Sequence, residues 1–201
     1  GSRNFGTLSQ MKRDMMAEVA ATLAFSTIAN NDKVGVIFFS DKVEKFIPAK
    51  KGKTHVLHII RELLSLEPSS TGTDMAQALQ YFANAQKRHC TAFLISDFIG
   101  VGEMYKPLLV ASNRHEVNAI QIYDRREAEL PNVGLVKFHD AETGEDLWVD
   151  TAVASLRNEY ARAWHENQSG VEQLFTRTGV KHVSVRTDED YVKALMHLFR
   201  C

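Results

Sequence analysis

The chain has 201 residues, about one domain of the usual ~100–200 residues, with room for a core that needs no disulfide or metal staple. Its 24 basic against 25 acidic residues leave a formal charge of -1, which excludes a general nucleic-acid binder held by phosphate attraction. No apolar run reaches the ~18 residues of a membrane span, GSRNFGTLSQ lacks the apolar stretch of a signal peptide, and Cys90 and Cys201 are too few for a disulfide framework and wrongly spaced for zinc, so the reading is a reduced, cytoplasmic-type domain over residues 1–201.

Thr7 and Gln10 fit a capping box, and Met16, Val19, Ala20 and Leu23 behind it share one helical face, so a helix is expected over residues 8–30. Asn30-Asn31-Asp32 stops it. Val34 to Phe39 is a β-rich apolar run expected to be buried on both faces. Val43 to Ile47 is a weaker strand that Pro48 confines to a sheet edge. Helices with Val56, Ile59, Ile60 and Leu63, and with Met75, Ala78, Leu79 and Phe82, flank a hydroxyl-rich loop, Glu67 to Thr73. Thr91 to Ser96 is an apolar strand ending in Asp97, and a helix around Met104–Asn113 leads to a strand over Val117–Tyr123.

Gly134–His139 and Asp146–Val149 read as a hairpin about residues 140–145, inserted before a long helix beginning near Thr151. Lys181 to Arg186 alternates like a half-exposed strand. The last helix is expected to turn Val192, Leu195, Met196 and Phe199 inward. Strands separated by helices predict an α/β fold with a doubly wound, mostly parallel sheet. There is no repeat, low-complexity tract or linker.

Several enzyme signatures fail. Gly52-Lys53-Thr54 would end a phosphate-binding loop, but Ile47 stands where that motif needs glycine. Gly100-Val101-Gly102 lacks the third glycine of a dinucleotide loop, with Tyr105 in its place. Neither a G-x-S-x-G elbow nor an H-E-x-x-H helix occurs. His55 and His58 are three apart on a helix without a third ligand placed by sequence, which favours a solvated face. Cys90 reads as buried and inert. Lys42, Lys45, Lys50, Lys51 and Lys53 form a basic stretch against Asp41 and Glu44; it serves either as a solvated, aggregation-blocking edge or as a docking patch for an acidic protein.

What survives lies where doubly wound sheets bind ligands, outside the carboxyl ends of the strands. Asp97 ends a strand, Thr73 precedes a helix, and Ser2 precedes the first helix. Hydroxyls with a carboxylate suit a hard divalent cation, Mg²⁺ above all. Such a site, short of negative charge, would favour a carboxylate from a partner and bind rather than catalyse. Read singly, Thr73 serves as well as a helix N-cap and Asp97 as a loop acid.

These residues resemble the von Willebrand factor A-like domain of bacterial proteins of domain-of-unknown-function family 58. Ser2 to Gly6 is similar to the tail of that family's Ser-x-Ser-Met-x-Phe-Gly segment, with Arg3 in place of Met. Asp32 to Ser40 resembles its Asp-x-Val-Gly strand, and Thr73 stands six residues before Leu79, as the family's metal-site threonine does before its Ala-Leu pair. Ile95-Ser96-Asp97-Phe98 matches the strand ending in the last metal aspartate; the runs at 124–131 and 140–145 are the most specific. The resemblance implies a Rossmann-like fold and a Mg²⁺ (or Mn²⁺) site keeping Ser2, Thr73 and Asp97. The family's central first strand, with the first Asp and Ser of the motif, would precede Gly1, so a fragment of a longer protein with weak or absent metal binding is expected. Gly1-Ser2 also matches a cloning remnant, which would remove Ser2.

The resemblance further implies a non-enzymatic adaptor that captures a partner carboxylate and works with a MoxR-type AAA+ ATPase in protein assembly or maturation. Exchange of a strand with a second copy would pair the edges left by the absent strand. The alternatives are a degenerate domain with a vestigial metal site, which Arg3 motivates, and an enzyme, either a metal-assisted hydrolase or a receiver-like phosphoacceptor with Asp97 as nucleophile. Central placement of Thr91–Ser96 would make Phe93→Ala cost ~3–5 kcal/mol if that ring is buried.

Overall fold

The computed structural model describes residues 3–67, 69, 72–100, 103–139 and 146–200. In chain order the elements are α1 (Arg3–Ala29), β1 (Val34–Phe39), β2 (Val43–Lys50), α2 (Lys53–Ser65), α3 (Met75–Ala85), β3 (Thr91–Ser96), α4 (Tyr105–Arg114) and β4 (Glu116–Tyr123). Then follow α5 (Arg125–Ala128), β5 (Leu135–His139), β6 (Asp146–Asp150), α6 (Ala154–Thr178), β7 (Lys181–Arg186) and α7 (Tyr191–Arg200). The alternation predicts crossovers, and the sheet obeys: β3, β4 and β7 run parallel in that order. β1 and β2 form a separate antiparallel pair, and β5 and β6 a hairpin.

Helices cover both faces. On one, α1 packs against β3 and β4, α2 against β1, and α7 against β7; on the other, α3 packs against β1 and β2, α4 against β4, and α6 against β7. β4 shows the period-2 logic of a central strand. Val117 and Ala119 join Leu79, Phe98, Leu108 and Phe175 in one core, whereas Ile120 and Ile122 join Val19, Val185, Leu195 and Leu198 in the other. Among the described residues no strand pairs with the edges of β1 and β3 that β2 and β4 leave free.

Three expectations are corrected. β1 is not buried on both faces: Val36, Ile37, Phe38 and Phe39 are half-buried, because only β2 pairs with it. α7 turns Leu195 and Leu198 inward and leaves Val192, Met196 and Phe199 exposed, since its apolar stripe is wider than the groove it fills. α1 begins at Arg3, ahead of Thr7, so the capping-box reading gives way: Thr7 lies inside the helix and the Gln10 side chain instead donates to Asp14 at 2.8 Å. The stop at Asn31 stands, with a left-handed φ of 54° there and the Asp32 amide donating to the Thr27 carbonyl.

β2 runs through Pro48 to Lys50 and pairs only with β1, in keeping with an edge. Gly35 is demanded by this pairing. A Cβ there would meet the Ile47 carbonyl oxygen at 2.7 Å and the Ala49 nitrogen at 2.8 Å, both backbone atoms, beside a register shift of the ladder. α6 ends at Gly179 in the left-handed conformation, with the Val180 amide returning to the Phe175 carbonyl, and β7 starts two residues later.

Candidate functional site

The carboxyl ends of β3, β4 and β7 meet on one side of the sheet. After β3 the chain bends at Phe98, a bulky residue at φ 53°, where such residues rarely sit. Burial holds it there: Phe98 is fully enclosed and meets Phe175 edge-on at 5.1 Å. The bend turns the amides of Phe98 and Ile99 back on the strand end. Phe98 donates to the Ser96 hydroxyl at 3.2 Å and Ile99 to Asp97 Oδ1 at 3.3 Å.

The other Asp97 oxygen faces a cation from α1. Lys12 Nζ lies 2.9 Å from Asp97 Oδ2 and makes a second, shorter ion pair with Glu127 of α5. Only 13% of the Lys12 side chain is exposed. Burial pulls its pKa down, but Asp97 and Glu127 more than offset that and hold it above the ordinary lysine value. Glu127 is shared, because its Oε2 accepts from the Asp124 amide at 3.0 Å and so completes the capping box of α5. Tyr160, whose hydroxyl donates to the Arg126 carbonyl, has its pKa raised by burial and by the charge of Glu127.

Side chains also tie the three strand ends together. Gln121 on β4 donates to the Asp97 carbonyl at 3.0 Å and accepts from Ser184 on β7 at 2.9 Å. Thr187, just past β7, donates to Asp124 Oδ2 at 2.7 Å. Gln121 and Asp124, both buried, are satisfied in this way, as most buried polar groups are.

Of the residues expected to hold a metal, Ser2 lies outside the described residues and Thr73 is exposed. The helix-cap role that Thr73 alone would suit falls to Asp74, which accepts from the Gln77 amide at 2.9 Å. Among the described residues no group of three or more His, Cys, Asp or Glu could hold a metal. A hard divalent ion needs oxygens whose charge is free for it, and the charge of Asp97 is matched by Lys12. As arranged, Thr73 and Asp97 do not fit Mg²⁺ or Mn²⁺.

His55 and His58 do not converge on a metal: His55 Nε2 lies 2.9 Å from the Val34 carbonyl oxygen, and His58 lies 3.9 Å from Glu62. Cys90 is half-buried and its thiol pKa is pushed up by burial, which suits an inert thiol. In the basic stretch Lys45 pairs with Glu62 at 2.7 Å, while Lys42, Lys50, Lys51 and Lys53 are exposed.

Two features escape the sequence reading. Lys12 is the first, although a signal existed: it extends the Met16, Val19 and Leu23 face by one turn, so a lysine on an apolar stripe must find an acid. The second is the exposure of apolar residues on the expected β5–β6 hairpin, where Leu135, Leu147 and Trp148 are 64%, 65% and 61% exposed. Thr151, fully buried, pins its base by donating to the Gly134 carbonyl at 2.7 Å and accepting from the Val133 amide at 3.0 Å.

A parallel three-stranded sheet, helices on both faces and a polar cluster at the strand ends define an α/β protein, and solved structures share the fold. An aerotolerance-related membrane protein from Bacteroides fragilis superposes with a TM-score of 0.56 at 17% identity, covering 92% of this chain and 89% of its own. The conserved hypothetical protein BatB from Bacteroides thetaiotaomicron gives 0.53 at 17% identity, covering 92% and 86%. The chain belongs to the family described as Protein of unknown function DUF58, which it matches over residues 1–170.

An uncharacterized protein of Mycobacterium tuberculosis, Rv1480, is 31% identical over 195 residues, 95% of this chain and 61% of that protein. Another from Mycobacterium avium, MAV169, is 30% identical over 158 residues, 77% of this chain and 92% of that one. The chain thus spans about three-fifths of the length of the first of these relatives. No helix among the described residues is long and apolar enough to cross a membrane.

Proposed function

We propose that this chain is a non-enzymatic protein-interaction domain, an adaptor that binds partners through its surface and leaves chemistry to them. The observation that carries the reading is the β5–β6 hairpin. A two-stranded ribbon that exposes Leu135 and Trp148 on one face and Leu147 on the other gains nothing in water, whereas exposed apolar residues with a tryptophan are typical of interfaces. Thr151 holds the ribbon on the domain, so its apolar residues are presented on a fixed base. The commitment of Asp97 to Lys12 further weakens its case as a nucleophile or general base.

In this reading the partner is a MoxR-type AAA+ ATPase acting in protein assembly or maturation, in the cytoplasm. The exposed lysines 42, 50, 51 and 53 suit an acidic, carboxylate-presenting surface on the partner. The edges of β1 and β3 that no strand pairs among the described residues also suit strand exchange with a second copy, which light scattering at two concentrations would register. The main test is binding of the purified chain to the MoxR-type ATPase of the same organism. Trp148→Ser should weaken it about 10–30-fold with an unchanged melting point. Turnover of a phosphate or ester substrate that Asp97→Ala abolishes would replace the adaptor with an enzyme.

A further inference from the structure

We propose that Lys12 is the built-in counter-cation of Asp97, so that the carboxyl-end cluster of this chain is completed by an ammonium rather than by a divalent metal ion. Lys12 comes from α1, Asp97 from the end of β3 and Glu127 from α5. Three elements therefore converge on one nitrogen, 2.9 Å from Asp97 Oδ2 and in contact with Glu127 Oε1. An ammonium has three donors and no acceptor, and two of its donors are used by these carboxylates.

The remaining oxygens have their own donors, the Ile99 amide at Asp97 Oδ1 and the Asp124 amide at Glu127 Oε2. A divalent ion at Asp97 would have to approach a lysine held charged between two acids, or expel that lysine into solvent. Expulsion would leave α1 without its link to the strand end and would strip Glu127 of its counter-ion. Breaking this part-buried pair on one side leaves the carboxylates without their counter-charge. This inference does not depend on the adaptor reading; it concerns what holds the cluster and stands or falls without a partner protein.

The test uses the intact chain with Mg²⁺ and Mn²⁺ alone. A lysine ammonium held by carboxylates exchanges its protons slowly enough to give its own ¹⁵N-correlated signal, which is expected for Lys12 in the wild type and expected to vanish in Asp97→Asn. Millimolar Mg²⁺ should leave that signal in place, and Mn²⁺ should not broaden it. Binding heat or Mn²⁺ broadening that Asp97→Asn removes would overturn the assignment, as would a Lys12 signal indifferent to Asp97→Asn.

A second readout is the cycle of Lys12→Met, Asp97→Asn and the double variant in thermal melts. The double variant should melt no lower than the worse single variant. Additive losses would show that the two groups do not act as a pair. Should Lys12→Met fail to fold, the wild-type and Asp97→Asn spectra still decide the matter.

Discussion

β1 and β4 invert the ordinary relation between composition and burial. β1, Val-Gly-Val-Ile-Phe-Phe, is apolar throughout yet half-exposed; β4 carries Asn118 and Gln121 and is buried from Val117 to Ile122. The difference lies in the neighbours. β4 has a parallel strand on each side and a helix layer on each face, whereas among the described residues β1 has a strand on one side only. A residue's environment is set by how many elements close around it, and polarity is tolerated wherever a partner is supplied, as Ser184 and the Asp97 carbonyl are for Gln121.

The sharpest way to break this comparison is a pair of phenylalanine truncations. Phe175 is fully buried and packs on Phe98 and His182, so Phe175→Ala should cost about 3–5 kcal/mol in denaturant melts. Phe93 on β3 is only partly buried and leans on the exposed Phe199, so Phe93→Ala should cost clearly less, about 1–2 kcal/mol. Equal losses would mean that the free edge of β3 is as enclosed as the core.

Gln121→Ala should cost about 1–3 kcal/mol, because it leaves the Asp97 carbonyl and the Ser184 hydroxyl without their partner. A loss confined to a few tenths would mean that the polar bond is dispensable in the central strand.

A smaller effect is expected from pH. His115 at the end of α4 is 3% exposed and its pKa is lowered by burial first, then by His89 and Arg114. The unfolded chain therefore binds this proton at a pH where the native state refuses it. Stability contributed by the neutral ring is full above the unfolded value near ~6.5 and is lost as pH falls through it toward the lower folded value. His115→Gln should flatten the stability profile between about pH 7.5 and 5.5; an unchanged slope would clear His115 of the role. The smallest effect belongs to the hairpin, where Trp148→Ala should alter stability by no more than about 0.5 kcal/mol.

Most of the architecture was legible in the residues. The order of strands and helices, the hairpin at 135–150 and the parallel sheet follow from period-2 and period-3.6 patterning, to within a few residues at each end. Packing was less legible. The stripe of α7 contains Tyr191, Val192, Leu195, Met196, Leu198 and Phe199, and periodicity alone cannot choose which arc meets the sheet. β1 looked central because its composition matches a central strand, while its surroundings depend on long-range pairing. At the site, Asp97 and the strand end were readable, but the partner that neutralises Asp97 sits 85 residues away on α1, a separation no local pattern records.

Gln121 has a consequence for how the domain breathes. One side chain on β4 holds the turn after β3 and a residue of β7 together, so none of the three strands can fray at this end without releasing the other two. Amides near Ile95, Gln121 and Ser184 should accordingly exchange with solvent in a single cooperative opening, at a rate set by the whole parallel sheet. Amides of the β1–β2 pair, outside that bond, should open on their own and sooner.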